Sequence, residues 1–298
     1  MNLITPAFIQ RVSRLHWPIK RRLHGIGHGM HQGRNRGAGL EFSEYRRYEL
    51  GDDLRRLDWK LLARSDRYFI REAERESQVP CYLLLDTSVS MNARDAGSGW
   101  SRIELASAVA AGLAAIAIRQ GDEAGLITLS NDNLRVQAAR RGFHALKPLV
   151  STLQALRGAG QLPPPEQASA VFSVLRRPAL CVLISDFFDD SSLRWLRYLY
   201  AGRHDVIALA LTTRQEREFA FDKSVTLLDD DQSRLATIAP HEQRSGYLQA
   251  FQAHRQQWQH WCTSHDLQWL DADVRDTPEA IIRRLLDQRL QRTIKRSA

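Results

Sequence analysis

Short continuous apolar runs alternate along this chain with longer stretches of helical period. Residues 81–85, 125–129, 179–184 and 205–211 run apolar without alternation apart from Thr128 and the opening Asp205, which predicts strands buried on both faces of a parallel sheet. Between them lie Ala-rich or amphipathic stretches at 101–119, 143–156, 192–201 and 243–264, together with a helix ending near residue 177. The first of these is closed by Gly121. Turn residues at 130–133 bring residues 134–138 back as an antiparallel partner of the second strand. A sixth strand is predicted at 267–274. The final helix opens on Asp276, Thr277, Pro278 and Glu279, with proline in the first turn where it is tolerated. Strands alternating with helices give an α/β fold, a doubly wound, mostly parallel six-stranded sheet. Right-handed crossovers put its strands in the order 3-2-1-4-5-6, with the third antiparallel.

The chain ahead of this domain reads differently. Residues 39–48 and 68–72 alternate as strands, around a Gly51-Asp52-Asp53 corner in which Asp side chains suit a turn. Residues 39–78 are therefore a small β-containing N-terminal module, and 79–298 the large domain. Residues 1–38 carry Gly25, Gly27, Gly29, Gly33 and Gly37 among His and Arg, so a flexible basic arm is expected. His24, His28 and His31 have no acid or cysteine beside them and belong to that arm rather than to a metal site.

Charge and cysteine content narrow the picture. Forty-two basic against 34 acidic residues give a formal +8. The basic runs at 11–36 and 283–296 read as solvated faces, because no nucleic-acid motif accompanies them. Nucleic-acid binding through these termini is kept as a minor alternative that salt would weaken steeply. No apolar run approaches the roughly 20 residues that span a bilayer. Residues 1–10 lack a basic start followed by an apolar core, so a soluble cytoplasmic protein is expected. Cys81, Cys181 and Cys262 have no metal-type spacing and are expected to be reduced core or boundary residues.

The candidate chemistry lies at the strand ends. The first strand of the large domain stops at Asp86, followed by Ser88 and Ser90, and the fourth stops at Ser185-Asp186. In the expected strand order these two strands are neighbours at the switch point, where open α/β sheets place their ligands. Asp86, Ser88, Ser90 and Asp186 would then share one crevice, a set of oxygens suited to a small, hard divalent cation such as Mg²⁺ or Mn²⁺. The competing local reading is that Ser90 or a neighbour simply caps the next helix.

This Asp-x-Ser-x-Ser pattern after a buried strand resembles the metal-ion-dependent adhesion site of von Willebrand factor type A domains. Upstream, residues 45–64 contain Gly51-Asp52-Asp53, then Arg55-x-x-Asp58-Trp59-Lys60, then Ala63-Arg64. That run, placed just before such a domain, resembles the family called domain of unknown function fifty-eight. The likeness covers about residues 39–230. It implies association with a MoxR-type AAA+ ATPase and a chaperone-like role in assembling or activating a client protein. The chain departs from type A domains at one point. Residues 153–168 contain no Ser or Thr, and Pro163, Pro164 and Pro165 stand where a ligating threonine is expected. The adhesion site is therefore degenerate.

Two functional classes follow. The first is a non-enzymatic binding or adaptor protein, with the partner held at the crevice and Asp52, Asp53, Arg55, Asp58, Trp59 and Lys60 forming a docking face or the joint between modules. In that module Trp59 is expected mainly as a buried anchor. Since the chain has no Gly-x-x-x-x-Gly-Lys-Ser/Thr motif, ATP hydrolysis would come from the partner. The alternative is a metal-dependent phosphohydrolase with Asp86 as nucleophile and Asp186 or Asp189 as metal ligands. It is disfavoured because Ser88 stands where such enzymes carry a second Asp as general acid.

Overall fold

The structure, a computed structural model, describes residues 3–17, 42–48, 57–65, 67–73, 80–95, 97–219, 225–228, 234–238 and 240–297. Residues 1–19 and 79–298 form one unit and residues 20–78 another. In chain order the elements are α1 (Pro6–Val12), β1 (Phe42–Arg47), α2 (Trp59–Ser65), β2 (Phe69–Ala73), β3 (Cys81–Asp86), α3 (Arg102–Arg119), β4 (Ala124–Leu129) and β5 (Arg135–Arg140). They continue with α4 (Phe143–Ala155), α5 (Ser169–Val174), β6 (Leu180–Ser185), α6 (Asp190–Ala201), β7 (Asp205–Thr212) and α7 (Arg214–Glu218). Last come β8 (Val225–Leu228), β9 (Arg234–Ile238), α8 (Pro240–Ser264), β10 (Gln268–Asp273) and α9 (Pro278–Ser297).

The central sheet runs β5-β4-β3-β6-β7-β10, with β5 antiparallel and every other neighbour parallel. This is the order expected of a doubly wound sheet whose third strand turns back. Every residue of β3, β4 and β6 is buried, as their unbroken apolar runs require. Successive residues of β3 face opposite layers. Leu83 and Leu85 pack with α1, α3, α4 and α9, whereas Leu84 packs with Val171 of α5, Trp195 of α6 and Trp258 of α8. All three cysteines are buried and free.

Helix α3 organises the first layer. All its residues except Glu104 and Arg119 are buried, as expected of a helix that is apolar all round. Ser101 caps it in a reciprocal capping box with Glu104. Its Gly112 permits close approach, since a Cβ there would stand 2.5 Å from Ile282 Cδ1 and 3.3 Å from Phe8 Cζ. The partner on that side is α1, which carries buried Phe8 and Val12. The Gln120 amide then clasps the backbone of Trp17, accepting from its N–H (2.9 Å) and donating to its carbonyl (3.0 Å).

The expectation of a loose arm over residues 1–38 therefore fails at its start. Residues 3–17 are an ordered part of the large unit, with Thr5 capping α1 through the Phe8 N–H. The glycines that predict an arm begin only at Gly25, and ahead of them Ile4, Phe8 and Val12 stand at helical spacing. The rest of that expectation, including His24, His28 and His31, lies outside the described residues. The β8–β9 hairpin was also not anticipated. Its strands, Val225–Leu228 and Arg234–Ile238, are short.

In the smaller unit β1 and β2 pair antiparallel, and Leu57 and Asp58 are buried. Asp58 opens α2, its Oδ1 accepting the Leu61 N–H (3.1 Å). Trp59, expected as the buried anchor, is instead 65% exposed. With Asp58 turned inward as the cap, the next side chain projects outward, and Leu57 supplies the buried apolar contact. Lys60 lies on α2, and Asp52, Asp53 and Arg55 fall outside the described residues.

Candidate functional site

β3 and β6 are parallel neighbours, with Leu85 beside Ile184. Their last residues, Asp86 and Ser185, therefore end side by side, and Asp186 follows immediately. The Ser185 hydroxyl donates to Asp86 Oδ2 (2.7 Å), and the Ser88 N–H donates to Asp86 Oδ1 (2.9 Å). The chain then enters a 3-10 turn, Val89–Asn92, in which the Ser88 and Ser90 hydroxyls lie 3.1 Å apart. Asp86, Ser88, Ser90 and Asp186 thus meet at one rim, at the switch point.

Burial and the neighbouring charge of Asp186 push the Asp86 carboxyl up to about 6, partly opposed by the hydrogen bonds from Ser88 and Ser185. Asp186 is also buried and accepts the Phe188 N–H at Oδ1 (3.1 Å). The residue between them, Phe187, has φ 59°, a left-handed conformation that costs a bulky residue energy. Its ring is held edge-on between Trp258 (5.3 Å) and Trp269 (5.1 Å). Packing of that ring imposes the turn that aims Asp186 into the crevice.

A feature that pattern reading missed lies across from Asp186. Arg102, the first residue of α3, is 1% exposed, and its Nη1 donates to Asp186 Oδ2 (2.7 Å) and to the Ser90 carbonyl (3.1 Å). Its Nη2 donates to Glu216 of α7. From the other side, Arg255 of α8 donates to the Asp186 carbonyl (2.8 Å), and its guanidinium carbon lies 4.9 Å from the Phe188 ring centroid. A sequence signal existed for Arg102: it is the lone cation at the start of a helix whose residues 105–118 are apolar except Ser107. Ser185 was visible as the hydroxyl before Asp186, whereas nothing local marked Glu216 or Arg255.

The loop after α4 closes the rim. Ala159 N–H donates to the Thr87 carbonyl (2.9 Å), Val89 N–H donates to the Gly160 carbonyl (2.9 Å), and the Asn92 amide exchanges two bonds with Gly158. A Cβ on Gly158 would stand 2.5 Å from the Ser88 carbonyl oxygen. The Gly158–Gly160 backbone therefore packs directly over the Ser88–Asn92 turn and brings no hydroxyl to it.

These contacts test the expected cation. Both oxygens of Asp86 and both of Asp186 already accept bonds from protein donors, the two serine hydroxyls engage one another, and a buried guanidinium occupies the approach to Asp186. Among the described residues no cluster of three or more His, Cys, Asp or Glu side chains is placed to hold an ion. With the Arg102 guanidinium seated on Asp186 and no hydroxyl offered by Gly158–Gly160, the arrangement does not fit a resident Mg²⁺ or Mn²⁺, which would sit against a like charge. Asp189, the other acid considered as a ligand, is used as the cap of α6, accepting the Ser191 N–H (2.6 Å).

Residues 44–257 match the family model described as "Protein of unknown function DUF58". The chain belongs to the DUF58 family. Among curated proteins it is 29% identical to the uncharacterized protein Rv1480 of Mycobacterium tuberculosis over 259 residues, covering 84% of this chain and 80% of the relative. Among solved structures, the conserved hypothetical protein BatB from Bacteroides thetaiotaomicron aligns over 73% of this chain and 99% of its own, at 13% identity and TM-score 0.45. The SpRpn10 VWA domain aligns over 68% and 94%, at 9% identity and TM-score 0.40. Among the described residues of this DUF58 chain, no helix is long and apolar enough to cross a membrane.

Proposed function

We propose that the chain is a non-enzymatic binding or adaptor protein that grips a protein partner at the degenerate adhesion site and works with a MoxR-type AAA+ ATPase in the chaperone-like assembly or activation of a client. One observation carries the reading. Every carboxylate oxygen of Asp86 and Asp186 already accepts a hydrogen bond from a protein donor, which supports a shape-holding network over an in-line nucleophile. Such a network holds a shape. Around it half-buried Ser90 and exposed Asn92 and Phe188 form a rim that a partner can reach.

The ATPase enters through the family resemblance and through the lack of a phosphate-binding loop motif in this sequence. The test is affinity purification of the full chain from its native cell, with and without ATP and Mg²⁺. A co-eluting AAA+ ATPase, lost with Asp86→Ala while the variant remains folded, is the expected result. Hydrolysis of a generic aryl phosphate by the wild type, abolished by Asp86→Asn, would overturn the reading in favour of a phosphohydrolase.

A further inference from the structure

We propose that the guanidinium of Arg102 is the resident cation of this crevice, supplying in place of a divalent metal the positive charge that holds Asp186, the Ser90 turn and α7 together. The inference concerns how the rim is held and is independent of which partner binds there.

Three independent features place the charge. Arg102 is the first residue of α3, fixed in register by the Ser101–Glu104 capping box, so its side chain starts from a rigid point at the mouth of the sheet. Its two terminal nitrogens reach three different segments: Asp186 beyond β6, the Ser90 carbonyl in the 3-10 turn, and Glu216 on α7. That is the connectivity a metal would provide, joining the loops beyond neighbouring strands through one positive centre. Glu216 is fixed in turn, its Oε2 accepting the Thr213 N–H (2.7 Å) in a second capping box.

A divalent ion in the same crevice would meet this guanidinium, a like charge in a region with little water, where Coulomb repulsion is poorly screened. It would also compete with the Ser88 N–H and the Ser185 hydroxyl for the electron density of Asp86. The Gly158–Gly160 backbone packed over the turn offers no hydroxyl in compensation. Arginine suits the role for a further reason: a planar fork that stays charged on burial can bridge carboxylates at fixed angles.

The experiment uses the purified full chain stripped with EDTA. Thermal unfolding is followed in EDTA, in millimolar Mg²⁺ and in millimolar Mn²⁺, and bound Mn²⁺ is measured by the loss of its free electron-paramagnetic signal. The expected result is one melting temperature in all three conditions and no bound Mn²⁺. Arg102→Met is expected to lower the melting temperature by about 10 °C, and Arg102→Lys to recover part of that loss. Stoichiometric Mn²⁺ binding by the wild type that disappears in Asp86→Ala would overturn the proposal, and so would an Arg102→Met chain as stable as the wild type. If Arg102→Met does not fold, the metal titration of the wild type still decides.

Discussion

The Arg102 guanidinium donates to Asp186 Oδ2 across 2.7 Å, with both side chains almost wholly buried. Breaking one side of such a pair strands an uncompensated charge, whereas replacing both sides by apolar groups costs far less. Asp186→Leu should therefore destabilise the chain by about 3–5 kcal/mol, and Arg102→Met combined with Asp186→Leu should lose much less than the sum of the two single changes. Urea unfolding of the two single variants and the double variant measures the coupling. Simple additivity would show that the pair is not coupled.

Asp86 gives a pH prediction. Its carboxyl ordinarily titrates near 3.8 and is raised to about 6 in the fold. Between those values the native state binds more protons than the unfolded chain. The contribution of this group to stability is therefore fully present below about pH 4 and is lost as pH rises through about 6. Asp86→Asn keeps an acceptor for the Ser88 N–H and removes the buried charge. The difference in melting temperature between Asp86→Asn and wild type should grow in favour of the variant from pH 4 to pH 7. A difference that stays constant across that window would contradict the cause assigned here.

Gly158 has no room for a side chain. With a Cβ only 2.5 Å from the Ser88 carbonyl oxygen, Gly158→Ala must push the loop off the Ser88–Asn92 turn. A loss of about 1–3 kcal/mol is expected, in the range of overpacking elsewhere in proteins. Faster hydrogen exchange of the Val89 amide should accompany it, because that amide bonds the Gly160 carbonyl. Unchanged protection of Val89 would mean that the loop accommodates the methyl group without moving.

Helix α1 is load-carrying for α3. Phe8 is buried against it, so Phe8→Ala should cost about 3–5 kcal/mol in urea unfolding. Removal of residues 1–17 should expose the apolar face of α3 and bring on aggregation. A truncated chain as soluble and stable as the full one would show that α1 is dispensable.

Trp59 separates stability from recognition. Being 65% exposed, it should tolerate Trp59→Ala with a stability change within about 0.5 kcal/mol. If the smaller module is a docking face, the same variant should lose ATPase in the affinity purification while unfolding as the wild type does. A large fall in melting temperature would restore the anchoring role.

The sheet, its strand order and the meeting of Asp86 with Asp186 were legible in the sequence, because buried parallel strands need unbroken apolar runs and crossovers have one hand. The Asp-x-Ser-x-Ser run and the Ser185-Asp186 ending marked where the rim would be. What neutralises that rim was decided only in three dimensions. Arg102 and Asp186 are 84 residues apart, and charge pairing between distant groups leaves no periodic trace along a chain. Only the seating of α3 over β3, with Gly112 admitting Ile282 and Phe8, sets which way its first residue points. Helix α1 was settled in the same way, by which faces remained to be covered once the sheet had formed, and the exposure of Trp59 was settled within its own unit, where Asp58 caps α2.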